Sequence, residues 1–223
     1  MKRNVDLADI TDGKLYTEND MAKLGCDECS GCSQCCRGMG KSVVLDPYDA
    51  YLLQKGSGKS LQELLAKELE LSVVDGMILP NLRMQEGTEA CGFLNDEGCC
   101  SIHAYRPGIC RLFPLGRYYE NGDYTYILQV HECAKGNRSK VKISKWIQTP
   151  DGKENHEFHV KWHYFLNRME ELVASVEDEE MVKQLNMVVL NMFYLSPYDL
   201  EAAFYPQFLV RMERMEAFLD EIA

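Results

Sequence analysis

The chain has no long apolar run. Its most apolar stretch, Met187 to Leu195, is far too short to span a bilayer, so no membrane partner is expected. Lys2 and Arg3 open the sequence, but no apolar segment of signal-peptide type follows them. The expected location is therefore the cytoplasm. Positive charge is scarce as well: 24 Lys and Arg stand against 35 Asp and Glu, a net charge of −11. Nucleic acids and anionic membranes need basic surface to displace counterions, and no nucleic-acid partner is expected. The densest basic stretch, Lys135 to Lys145, reads as a solvated loop or edge strand. No solenoid-period repeat, low-complexity tract, P-loop, paired-glycine dinucleotide loop or Ser/His/Asp arrangement is present. Cysteine is absent from His156 to the end.

What the first half has in plenty is cysteine. Cys26, Cys29, Cys32, Cys35 and Cys36 fall within eleven residues, and Cys91, Cys99, Cys100, Cys110 and Cys133 follow. An apolar fraction of 46% over 223 residues supports an ordinary core without disulfides. In a reducing compartment, clustered thiols point to metal or redox chemistry before structural disulfides. Two metal readings fit. Structural zinc takes four ligands, often as two C-x2-C pairs, and Cys26/Cys29 or Cys29/Cys32 supplies one such pair. An iron–sulfur cluster of the four-iron, four-sulfur type takes three cysteines from a C-x2-C-x2-C run and a distant fourth. Cys26, Cys29, Cys32 and Cys35 contain that triplet twice in overlapping register, which favours iron–sulfur over zinc. In extended backbone the neighbours Cys35 and Cys36 would point to opposite sides, as would Cys99 and Cys100.

The expected fold class is α+β. Residues 1–150 are expected to form a loop-rich cysteine domain with short hairpins, and residues 151–223 a helical region packed on it. Residues 1–25 look irregular. Ser42 to Leu45 reads as a short strand. Asp46-Pro47 starts a helix to about Gln54, and Ser60 with Glu63 forms a capping box for a helix to about Leu71. Hairpin turns are expected at Asp75-Gly76, at Asn95 to Gly98 between Cys91 and Cys100, and at Asn121-Gly122. Three helices follow, at about 155–176, 179–195 and 197–221, with Ser196-Pro197 as the cap and first residue of the last. The Met and aromatic residues of this tail read as helix core, with an apolar groove for a protein partner as the alternative. His156, His159 and His163 share one helical face without an HExxH pattern. Interleaved with Phe158, Trp162 and Phe165, they read as a packing face, with metal binding as the alternative.

Cys29-x2-Cys32-x2-Cys35-Cys36, then Cys91-Gly-Phe-Leu, then Cys100-Ser-Ile-His-Ala-Tyr-Arg-Pro-Gly-Ile-Cys-Arg-Leu-Phe-Pro114 occur in order. Together they resemble the YkgJ-type cysteine-cluster family, described as a candidate zinc- or iron-chelating domain and related to a domain of flagellin lysine methylase. The resemblance covers roughly residues 26–133. It implies metal ligands at Cys29, Cys32, Cys35, Cys36, Cys91, Cys100, Cys110 and Cys133, and leaves Cys26 and Cys99 outside the pattern. His103 stands where the family has tyrosine, as a ligand, a hydrogen-bond donor behind the ligands, or an aromatic replacement. Arg106 and Arg111 bracket Cys110, either offsetting thiolate charge or capping carbonyls. The resemblance leaves two roles open beyond metal binding: a zinc-stabilised interaction module, or a protein-modifying enzyme of methyltransferase kind. The sequence carries no glycine-rich methyl-donor fingerprint for the latter.

Overall fold

The computed structural model describes residues 6–25, 32–133, 136 and 138–222. Among these, the N-terminal segment is not irregular. It forms a short helix α1 (Leu7–Ile10) and strands β1 (Thr11–Tyr16) and β2 (Met21–Gly25). Their partners lie more than a hundred residues on, which is why local pattern did not disclose them. Helices α2 (Pro47–Ser57) and α3 (Leu61–Lys67) follow, then strands β3 (Leu69–Val74) and β4 (Met77–Leu82). Beyond them come α4 (Gly108–Leu112), β5 (Leu115–Glu120), β6 (Asp123–Gln129), β7 (Ser139–Lys142) and α5 (Ile143–Ile147). The last helices are α6 (Gly152–Ser175), α7 (Glu179–Leu190), continued by a π-helical turn over Asn191–Leu195, and α8 (Phe204–Ile222). The sheets are small and antiparallel, ordered β1-β6-β5, β2-β7 and β3-β4. The fold is α+β.

Capping chemistry sets the early helices. Asp46 accepts from the Asp49 amide at 2.8 Å while Asp49 accepts from the Asp46 amide at 3.3 Å, and Pro47 takes the first helical position. Ser60 and Glu63 form the equivalent box on α3. That helix stops at Lys67, four residues earlier than expected, because Leu69 to Leu71 pair with Pro80 to Leu82 in the β3–β4 hairpin. Asp75 and Gly76, and Asn121 and Gly122, all hold positive φ, as two-residue hairpin turns require. Ser42 to Leu45 does not become a strand. It makes one bridge, Val44 to Asn81, alongside β4.

Ser196-Pro197 does not start the last helix. Residues 196–203 form a loop, and α8 begins at Phe204. Arg211 explains the change: its guanidinium donates to the carbonyls of Met192, Ser196 and Pro197 and lies 3.6 Å over the Tyr198 ring. The Gln207 side chain adds bonds to the amide and carbonyl of Asp199. Carbonyls that a helix would have used internally are thus taken by side chains of α8.

One hydrophobic core joins α2, α3, β3 and β4 to α6, α7 and α8, with Phe193, Tyr194, Phe208, Met169 and Met215 almost fully buried. Its centre is aromatic, with Phe193 5.0 Å from Trp162 and Phe158 4.7 Å from Phe208. A second, smaller core gathers Ala22, Leu24, Leu112, Leu115, Leu128 and Ile143. Helix α4 lies between the two: Leu112 belongs to the second, while Cys110 packs against the first.

Candidate metal centre

Three backbone stretches are stitched together around the cysteines. Gln34–Cys36 form a 3-10 turn, and the Cys36 carbonyl accepts from the Cys91 amide at 2.8 Å. The Gly38 amide donates to the Glu89 carbonyl at 2.9 Å, closing the same seam. Residues 91–100 form a tight loop with a single bridge, Leu94 to Cys100, rather than two full strands. The Ser101 amide donates to the Phe93 carbonyl at 2.9 Å and anchors its far end. A second 3-10 turn, His103–Tyr105, then leads through Arg106-Pro107 into α4, which carries Cys110.

This arrangement brings together the sulfurs of Cys35, Cys36, Cys91, Cys100 and Cys110. Each is close enough to the others to perturb their ionisation. Cys91 is buried and the other four are partly buried. The Cys35 thiol is pushed up, first by its hydrogen bond to Cys36 and then by burial, and the Cys36 thiol is pulled down by the same bond. The expectation that these neighbours face opposite ways is corrected here. On a 3-10 turn, rather than an extended strand, adjacent side chains can meet. Burial raises Cys91, Cys100 and Cys110, while the Phe93 amide donates to the Cys91 sulfur and the Ile102 amide to that of Cys100, opposing the rise. Among the described residues, no three His, Cys, Asp or Glu side chains close around one point at ion-ligating distance.

The other expected site residues are placed as follows. Cys26 and Cys29 lie outside the described residues. Cys32 is half-buried just ahead of the first 3-10 turn, Cys133 is half-buried after β6, and Cys99 is exposed on the 91–100 loop. His103 is exposed, and its ring contacts the Arg106 guanidinium, with Nδ1 2.9 Å from Nη1. Both arginines carry charge toward the sulfurs, and Arg111 also supports backbone. The Arg106 charge favours the thiolate forms of Cys35 and Cys100, opposing the rise that burial causes. Arg111, 8% exposed, donates to the carbonyls of Ala104, Arg106 and Gln148. The tail histidines separate: His156 contacts Asp123 at 2.6 Å, His163 stacks on Tyr119 at 3.6 Å, and His159 is buried beside Asp46. His156 and His163 pack α6 against the β5–β6 hairpin, while His159 faces the start of α2.

Sequence reading missed a buried polar cluster next to α4. Asp49, 3% exposed, accepts from the Gly108 amide at 2.7 Å. His159 Nε2 lies 3.3 Å from Asp46 Oδ2, and Arg117 is packed in beside both carboxylates. Burial first, and Asp46 next, push the Asp49 carboxyl well above the usual range. The one available signal was His159 between Phe158 and apolar neighbours on a packing face.

A family described as "Putative zinc- or iron-chelating domain" and named for its CxxCxxCC signature matches residues 28–141, just over half the chain. The chain belongs to this CxxCxxCC family. No curated protein matches it, and no solved structure does. The matched span contains every element of the sulfur group described above. Within that span, sulfurs from separate stretches lie near one another, with backbone amides donating to two of them; thiolate sulfur is the soft donor type that zinc and iron–sulfur centres take. No helix among the described residues is long and apolar enough to cross a membrane.

Proposed function

We propose that this protein holds a metal centre on cysteine thiolates and that the centre is an iron–sulfur cluster. The ligands are drawn from Cys29, Cys32, Cys35, Cys36, Cys91, Cys100, Cys110 and Cys133. One observation carries the reading: five sulfurs from distant stretches share one partly buried locus where amides point at sulfur. Buried thiols favour the protonated form, and a cation offsets the cost of ionising several of them together. The C-x2-C-x2-C run supports a cluster over a single zinc, because three corners of a cuboidal core can face one loop. The cytoplasm, where thiols remain reduced, suits such a centre.

Purification without oxygen, followed by visible absorption and analysis for metal and sulfide, tests the proposal. A brown protein with iron and sulfide in equal amounts supports it. A colourless protein with stoichiometric zinc keeps the thiolate site and overturns the cluster. Material that binds neither metal refutes the reading. Cys32→Ala is expected to lower metal content and destabilise the cysteine region, because metal binding contributes to folding. Unchanged content and melting would remove Cys32 from the ligand set.

A further inference from the structure

Asp49 has two ties, and only one belongs to its own helix. As third residue of α2 it completes the capping box with Asp46. The Ser60–Glu63 box does that work in solvent. Asp49 is instead 3% exposed, and a buried carboxylate is costly unless its oxygens are bonded. Its Oδ1 accepts from the Gly108 amide at 2.7 Å, 59 residues away, at the head of α4.

That helix needs the tie. It spans only Gly108–Leu112, and Pro107 before it offers no side-chain cap. One turn of helix does not hold itself together in water. Space beside Gly108 is also shaped by this cluster: a Cβ there would lie 3.6 Å from Asp49 Oδ1, 3.7 Å from His159 Nε2 and 3.8 Å from an Arg117 terminal nitrogen. The Asp49 carboxylate thus acts across the fold as the cap that α4 lacks, two residues ahead of Cys110.

We propose that Asp49 is a positioning residue for Cys110, holding the α4 sulfur at the metal locus through the Gly108 amide. The inference rests on the metal-site reading above for its consequence, not for its geometry. The acceptor oxygen does the work, so Asp49→Asn keeps the function and Asp49→Ala loses it.

The test has two arms on the full chain. In the first, zinc is titrated into metal-free protein in competition with a chromophoric chelator. Asp49→Ala is expected to bind about 10–100-fold more weakly than wild type, the usual loss for a group orienting a ligand, and Asp49→Asn close to wild type. In the second, metal-free protein is alkylated with iodoacetamide and read by peptide mass spectrometry. Asp49→Ala is expected to expose Cys110 roughly tenfold, an opening of about 1.4 kcal/mol, with Cys91 unchanged and Asp49→Asn again like wild type. Wild-type behaviour of Asp49→Ala in either arm overturns the proposal. So does an Asp49→Asn variant as weak as Asp49→Ala, since charge rather than the acceptor would then matter. If Asp49→Ala does not fold, Asp49→Ser, whose oxygen is too short to reach the Gly108 amide, replaces it: weaker binding than Asp49→Asn supports the proposal, and equal affinity of the two overturns it. A wild-type chain that takes up no zinc and, purified without oxygen, holds no iron and sulfide defeats the metal reading itself, and the labelling arm then judges Asp49.

Discussion

Arg111 offers the sharpest separation between charge and backbone support at the sulfur locus. Its guanidinium reaches three carbonyls: Ala104 in the 3-10 turn, Arg106 behind it, and Gln148 after α5. Arg111→Met keeps an unbranched apolar stem of similar bulk but withdraws every donor. A hydrogen bond to a charged donor contributes about 1.5–3 kcal/mol, and ordinary ones about 1 kcal/mol. The 3.4 Å contact to Gln148 is weak and non-additivity is expected, so the sum comes to roughly 3 kcal/mol. In a chain of this size that corresponds to a melting temperature lower by about 10 °C. Arg111→Lys, a point charge in place of a fork, is expected to lose about half as much. Denaturant unfolding with and without metal is the assay. If the loss is the same in both states, Arg111 supports backbone. Loss confined to the metal-loaded state, or Arg111→Met within about 0.5 kcal/mol of wild type, would refute the reasoning, because surface-like changes stay inside that range.

Three further outcomes follow from packing and ionisation. Gly56 lies in α2 where a Cβ would sit 2.4 Å from the Tyr105 ring. Alanine in a helix interior ordinarily gains about 1 kcal/mol over glycine, but Gly56→Ala is expected to destabilise and to loosen the His103–Tyr105 turn, with the normal sign restored in a Tyr105→Gly background. A thermal melt showing stabilisation by Gly56→Ala alone would contradict this. Phe193→Ala, at a position 0% exposed among Trp162, Phe165 and Phe208, should cost about 3–5 kcal/mol in urea unfolding; a loss below about 1 kcal/mol would mean the core relaxes to fill the gap. His159 is lowered by burial and then by Arg117, while Asp46 and the Asn155 carbonyl pull the other way. Below about pH 6.5 the unfolded chain takes up a proton that the folded chain resists, so stability falls as pH drops through that value toward the folded-state pKa. His159→Gln should flatten that part of the stability profile, and an unchanged slope would assign it to other groups.

Local chemistry made much of the fold legible. The Asp46-Pro47 start, the Ser60–Glu63 box, and the Asp75-Gly76 and Asn121-Gly122 turns each act within a few residues. Long-range pairing was not legible. β1 shows no alternation of buried and exposed positions, and β2 alternates only over Ala22 and Leu24, too short a pattern to read as a strand before β7 pairs with it. Ser196-Pro197 has the chemistry of a helix start, yet Arg211 outcompetes it from fifteen residues downstream. The sulfur group was legible for a different reason: spacing and order along the chain are themselves the constraint that converging ligands impose. The choice of a 3-10 turn at Gln34–Cys36, which lets Cys35 and Cys36 meet, was not written in the cysteines.

The cluster of buried Asp49 and His159 with half-buried Asp46 and Arg117 shows what such spacing cannot carry. Its members come from the start of α2, from β5 and from α6, and each alone has an ordinary surface explanation. Only the fold places them under α4, between a core built on the C-terminal helices and a smaller one built on β5 and β6. An apolar filling would pack there at lower cost, since buried charge seldom stabilises by itself. What an apolar side chain could not supply is an acceptor for the Gly108 amide and a directional contact to α6. The consequence is that the position of Cys110 depends on residues 46, 49, 117 and 159, none of which belongs to a cysteine motif. Changes in α6 at His159 should therefore register at the sulfur locus, whereas changes on the exposed face of the same helix, such as Lys161→Ala, should not.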